Sequence, residues 1–151
     1  MRLLNGVAFF LCLIVLTSPA VHAQGFEFDF NAEEIAEGCK AKSTAAADHC
    51  VSSLESMADE CAARIAAIVE KGQDRRAARV AERCTRVING SADACVRAIQ
   101  GGCDFCVALL EYLEADAGLI TEVQDHCSLE IARVEDARDA ALAVVDAALN
   151  S

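Results

Sequence analysis

Tryptophan is absent from this 151-residue sequence, tyrosine occurs once, and aromatic residues together make up only 5% of it. A core built without large rings must gather its apolar area in small pieces. Proline occurs once, at Pro19, so nothing beyond that point forbids long helices. Histidine is also scarce. Only His49 and His126 lie beyond residue 23, and no nucleophile elbow, phosphate loop or paired-histidine metalloprotease helix is found. The sequence therefore gives no expectation of an enzyme or of a cofactor.

Positive charge is in the minority, with 13 Lys and Arg against 24 Asp and Glu and a net charge of −11. That balance excludes a cationic membrane-lytic peptide and a general nucleic-acid binder. Long apolar runs are confined to residues 7–16. Arg2 precedes that run, and Val21 and Ala23 supply small residues at its exit, so residues 1–23 read as a secretory signal peptide. The run is too short for a permanent membrane span, and every later apolar stretch is interrupted by charge. The expected product is a secreted, extracellular chain beginning at Gln24, with residues 31–151 forming one helical, disulfide-rich domain.

What the sequence does have is cysteine and alanine. Eight cysteines remain after residue 23: Cys39, Cys50, Cys61, Cys84, Cys95, Cys103, Cys106 and Cys127. An even number in a small secreted chain argues for disulfides rather than free thiols. Alanine favours helix but buries little area, so staples that restrict the unfolded chain matter for stability.

The pattern is helical almost throughout. Residues 24–30 alternate Phe26, Phe28 and Phe30 with polar neighbours and read as an extended arm. Asn31 can cap the helix that follows, with Glu34 at its third position and Phe30 and Ile35 placed for a hydrophobic staple. That helix continues to Lys71, and Gly72 ends it. Asp74 can cap a second helix up to Asn89-Gly90. A third is expected from Ser91 to Gly101-Gly102, a fourth from Asp104 to Gly118, and a last from about Thr121 to Leu149. The expected fold is all-α, an antiparallel helical hairpin or bundle of four to five helices stapled by disulfides. Asn89-Gly90-Ser91 is a glycosylation sequon at the predicted turn, which makes Asn89 a candidate glycan acceptor.

Cysteine spacing carries the most information. Cys39, Cys50 and Cys61 are eleven residues apart, as are Cys84 and Cys95. Eleven residues advance a helix by three turns plus roughly 20°, so cysteines so spaced share a face. Cys61 with Cys84, Cys50 with Cys95 and Cys39 with Cys106 are each centred between Gly72 and Gln73, the expected turn. Residues equidistant from the turn of a helical hairpin lie opposite one another. The expected bridges are Cys61–Cys84, Cys50–Cys95 and Cys39–Cys106, with Cys103–Cys127 tying on the last helix. Exchange of partners between Cys103 and Cys106 is the main competing arrangement.

The geometry resembles twin Cys-x9-Cys helical hairpins, with ten intervening residues in place of nine. Cys103-Asp104-Phe105-Cys106 resembles the opening of saposin-like proteins, but Cys127 alone follows where that family needs four more cysteines. Cys103-x-x-Cys106 lacks the strand–helix context of a thioredoxin-like redox pair and reads as structural. Asp48-His49-Cys50 and Asp125-His126-Cys127 repeat one tripeptide. Helix neighbours point about 100° apart, and disulfide-bonded cysteines cannot bind metal as thiolates, so no metal site is expected.

Charge is unevenly spread. Residues 64–86 hold seven cations (Arg64, Lys71, Arg75, Arg76, Arg79, Arg83 and Arg86) against three acids, while the remainder beyond residue 23 holds five against 21. Arg75, Arg76, Arg79, Arg83 and Arg86 form a candidate anion-binding tip, set against the plainer reading of a solvated face. Phe26, Phe28 and Phe30 are a candidate partner-binding arm or lid, set against the plainer reading of missing core. The expected function is a non-enzymatic extracellular binding protein engaging a protein or anionic surface through the tip. The alternative is an extracellular carrier of a small hydrophobic ligand or lipid.

Overall fold

A computed structural model describes residues 31–151. The expected signal peptide, the Phe26/Phe28/Phe30 arm and the Phe30 half of the staple lie outside them. The described residues form three long helices and no strand: α1 (Ala32–Val69), α2 (Asp74–Tyr112) and α3 (Ala117–Leu149). Each helix packs against the other two. The all-α expectation holds, but the count is three helices rather than four to five.

The difference lies in the glycines. Gly90 and Gly101-Gly102 were expected to break the second arm into three, yet α2 runs through all of them. A glycine in a helix costs about 1 kcal/mol relative to alanine. Against that stands an inner face that continues without interruption from Ala77 through Ala81, Cys84, Ile88, Ala92, Ile99 and Cys103 to Leu110. A break would lift several of these residues out of the core, so the helix continues. Asn89 consequently sits mid-helix and half-buried, not in the exposed turn expected of its sequon.

Helix ends differ from expectation in two further places. Gln73, not Asp74, is the N-cap of α2, and its side chain makes no capping hydrogen bond. The fourth expected helix was to reach Gly118, but α2 ends at Tyr112, Glu114 takes a positive φ of 52°, and Asp116 caps α3 by accepting from the Gly118 N–H at 2.8 Å. The other ends follow the sequence. Asn31 accepts from the Glu33 N–H at 3.0 Å, and Gly72, with φ 66°, turns the chain out of α1.

The core has an eleven-residue repeat of small residue, cysteine and larger residue. In α1 it reads Ala36-Cys39-Ser43, Ala47-Cys50-Leu54 and Ala58-Cys61-Ile65; in α2, Ala81-Cys84-Ile88, Ala92-Cys95-Ile99 and Cys103-Cys106-Leu110. All the small and larger positions are buried. Eleven residues per three turns keeps the faces of the two helices nearly straight, so successive layers meet at intervals of about 16 Å.

Disulfides close these layers as Cys39–Cys106, Cys50–Cys95 and Cys61–Cys84, each with Cα atoms 6.1 Å apart. They make α1 and α2 antiparallel about the turn at Gly72-Gln73. Cys103 stands where the other repeats have alanine and bonds Cys127 of α3, with Cα atoms 6.2 Å apart. The first three bridges are the pairs expected from the shared centre of the spacing, and Cys103–Cys127 is the remaining pair expected to tie on the last helix. No described helix is long and apolar enough to cross a membrane.

Candidate functional site

Helix α3 covers one side of the α1–α2 hairpin and leaves the other open. Two grooves lie on the open side, each lined by residues of α1 and α2 alone. The larger, about 620 Å³, is at the hairpin tip. Its lining includes the Cys61–Cys84 bridge with Met57, Val80, Val87 and Ile88. Val87 is 50% exposed there, and the Ser91 hydroxyl donates to the Met57 sulfur at 3.7 Å. The other lining residues include Arg64 from α1, Arg76, Arg79 and Arg83 from α2, and one carboxylate, Glu60.

The local sequence explains this convergence. Arg76, Arg79 and Arg83 follow each other at spacings of three and four, with Val80 and Val87 on the adjoining strip of the same helix. Arg64 lies on α1 one turn beyond Glu60 and is brought opposite them by the hairpin register that Cys61–Cys84 fixes.

Of the five tip residues singled out in the sequence, three line the groove. Arg75 lies instead in a shallow depression at the turn with Gly72, Gln73, Asp74, Arg76 and Arg79. Arg86 is directed to Glu82, 3.9 Å away. Arg64, counted in the charged segment but not singled out, completes the groove. Its place could be read only from the register across the turn.

Among the described residues, only Arg86 of the seven cations of residues 64–86 has a carboxylate within 4 Å. Of the five described cations elsewhere, Lys42, which lines the second groove, and Arg97 likewise have no described carboxylate within 4 Å, and three are paired. Lys40 pairs with Glu37 and Glu122, Arg133 with Asp48 and Glu130, and Arg138 with Asp139. Hydrogen bonds donated to Glu122 and Glu37 hold the Lys40 ammonium above its ordinary titration range, and the same Lys40 bond holds the Glu122 carboxyl below its own. Acids thus pair these three cations away from the tip, whereas among the described residues no carboxylate lies within 4 Å of the groove arginines, and Arg76 donates instead to the Gln73 side-chain oxygen at 3.1 Å.

The second groove, about 390 Å³, lies beside Cys39–Cys106 and is lined mainly by apolar residues, among them Ile35, Ile99, Phe105 and Leu109. Ser43 lines it in the repeat position where Leu54 and Ile65 stand in the later layers, so this layer is underfilled. Phe105 is 69% exposed at this groove.

His49 is exposed, whereas His126 belongs to a polar cluster between α1 and α3 that the sequence did not reveal. Its Nε2 is 2.9 Å from Thr44 Oγ1 and 3.2 Å from the Lys40 carbonyl oxygen. A carbonyl only accepts, so Nε2 donates, leaving the Thr44 hydroxyl to donate to Glu130 Oε1 at 2.8 Å. Glu130, 3% exposed, also accepts from Arg133, which reaches Asp48 at 2.7 Å. The second tripeptide is therefore a structural hydrogen-bonding element. Its cysteine and that of the first are both in disulfides. Among the described residues no cluster of three His, Cys, Asp or Glu could hold a metal ion. Comparison with known proteins finds no family model, no characterised protein and no solved structure that matches this chain.

Proposed function

We propose that this chain is a secreted, non-enzymatic binding protein that engages an anionic partner through the arginine groove at its hairpin tip. The observation that carries the reading is the set of four arginines from two helices, Arg64, Arg76, Arg79 and Arg83, around one groove with no carboxylate of the described residues within ion-pair distance. The guanidinium group presents a rigid fork of donors suited to carboxylate, sulfate or phosphate oxygens. Secretion is supported by the expected signal peptide at residues 1–23 and by four disulfides, which persist in oxidising compartments.

The test is retention on an immobilised sulfonate matrix at moderate salt. Without residues 1–23 the chain has 12 Lys and Arg against 24 Asp and Glu, a net charge of −12, and is repelled as a whole, so retention requires a local positive patch. The native protein is expected to be retained, and the Arg76→Gln/Arg79→Gln/Arg83→Gln variant to pass through with unchanged helicity. Equal retention of the two would overturn the reading.

The apolar groove beside Cys39–Cys106 favours a second reading, a carrier of a small hydrophobic ligand. Organic extraction of protein from its native source, followed by mass spectrometry, is expected on that reading to yield one stoichiometric apolar compound.

A further inference from the structure

We infer that the tip groove takes a small amphipathic anion, with one carboxylate or sulfate head and an apolar body, rather than a purely ionic partner. This rests on the anion-binding reading above and narrows its ligand class. The Cys61–Cys84 bridge, Met57, Val80, Val87 and Ile88 stand in the same groove as Arg64, Arg76, Arg79 and Arg83.

Each simpler ligand leaves part of that lining unsatisfied. An inorganic anion or a highly sulfated chain pairs the arginines and leaves the apolar part wet. A neutral apolar ligand covers the apolar part but strips water from guanidinium groups without pairing them, which is costly. A ligand carrying both features satisfies both. The head is held between Arg64 on α1 and the arginines of α2, where two-point donation favours a planar carboxylate or a sulfate. The body runs toward Val87, whose half-exposed side chain gains most from being covered.

The groove's volume, about 620 Å³, falls in the range of small-molecule sites. Glu60 is the one carboxylate in the lining and disfavours a ligand with negative charge at both ends. The Cys61–Cys84 bridge fixes the separation of the two walls, so the groove is open before the ligand arrives.

Calorimetric titration of the disulfide-intact protein with monomeric laurate, acetate and the neutral amphiphile octyl glucoside tests this. Laurate is expected to bind at least about a hundredfold more tightly than acetate through its buried methylenes. Octyl glucoside is expected to bind far more weakly than laurate. Arg79→Gln/Arg83→Gln should weaken laurate about tenfold or more by removing charge-assisted hydrogen bonds. Val87→Gln, at a half-exposed position, should weaken laurate several-fold while leaving retention on the sulfonate matrix unchanged.

Laurate binding no tighter than acetate, with retention on the matrix intact, would overturn the inference and leave the anion-binding reading standing. Loss of both would remove both. Laurate affinity that is the same in the arginine and Val87 variants would place the ligand elsewhere and overturn the inference. So would binding to vesicles containing phosphatidylserine without any binding of monomeric laurate.

Discussion

The most tightly held charged groups are not those of the candidate site. Lys40 is joined to Glu37 on its own helix and to Glu122 on α3, and these carboxylates hold its proton more firmly than water would. The Glu122 carboxyl is correspondingly depressed below its ordinary 4.5 by the Lys40 bond. A depressed carboxyl stabilises the fold above its unfolded value and loses that contribution as pH falls through its native value. A raised ammonium stabilises below its unfolded 10.5 and loses that contribution as pH rises through its native value. The pair is therefore fully effective between these two ordinary values. Thermal midpoints of the native protein and Glu122→Gln should differ by a constant amount through neutral pH and converge as pH drops below 4.5; a gap that widens in acid would contradict this.

At the same scale, Glu130 shows what the sequence could not disclose. A glutamate in the middle of a helix gives no sign that it is buried. Its partners Thr44 and Arg133 become neighbours only when α3 takes its register against α1.

Among the elements, glycine separates local preference from tertiary constraint. Neither Gly72 nor Gly101 has an atom within 4 Å of where a Cβ would stand, so space does not distinguish them. Backbone does. Gly72 has φ 66°, where alanine costs about 1 kcal/mol, whereas Gly101 is helical, where alanine gains about 0.5–1 kcal/mol. Chemical denaturation should show Gly72→Ala destabilised and Gly101→Ala stabilised; stabilisation of both would contradict the turn geometry.

The nested bridges also act on one another. Cys39 and Cys106 are 67 residues apart, but Cys50–Cys95 already shortens the path between them. Loop-closure entropy for the resulting ring of roughly 24 residues gives a cost of about 3 kcal/mol for Cys39→Ser/Cys106→Ser, against about 4 for the ring of roughly 46 residues that Cys61–Cys84 leaves when Cys50–Cys95 is absent. Denaturant unfolding of that variant against the native protein, and of the variant with all four serines against Cys50→Ser/Cys95→Ser, compares the cost with and without the inner bridge. No dependence on the inner bridge would show that the rungs act independently.

The ladder was legible because eleven residues return to one helical face and the three pairs share a centre. The helix count was not, since Gly90 and Gly101-Gly102 look like stops to local reasoning. The same register that pairs Cys39 with Cys106 requires a continuous second arm. The repeat of small residue, cysteine and larger residue contained that requirement in plain order, in Ala81-Cys84-Ile88 and Ala92-Cys95-Ile99 on either side of Gly90.

For the molecule as a whole, unpaired cations are concentrated at the tip, with Lys42 and Arg97 the two described ones elsewhere. Away from the tip, Lys40, Arg133 and Arg138 meet carboxylates, and at the tip the groove arginines do not. The charged segment was visible in the sequence, but its division was not. Arg76, Arg79 and Arg83 share a groove with Arg64, while Arg75 and Arg86 face elsewhere. That division depends on where the open side of the hairpin lies, which is set by the docking of α3.

The proposed function places the binding site in this groove. Backbone amide NMR of the isotopically labelled protein during addition of octanesulfonate tests it most directly. Shifts confined to residues 57–64 and 76–88 are the predicted result. Shifts centred on residues 35–46 and 98–109, or spread evenly over all three helices, would contradict it.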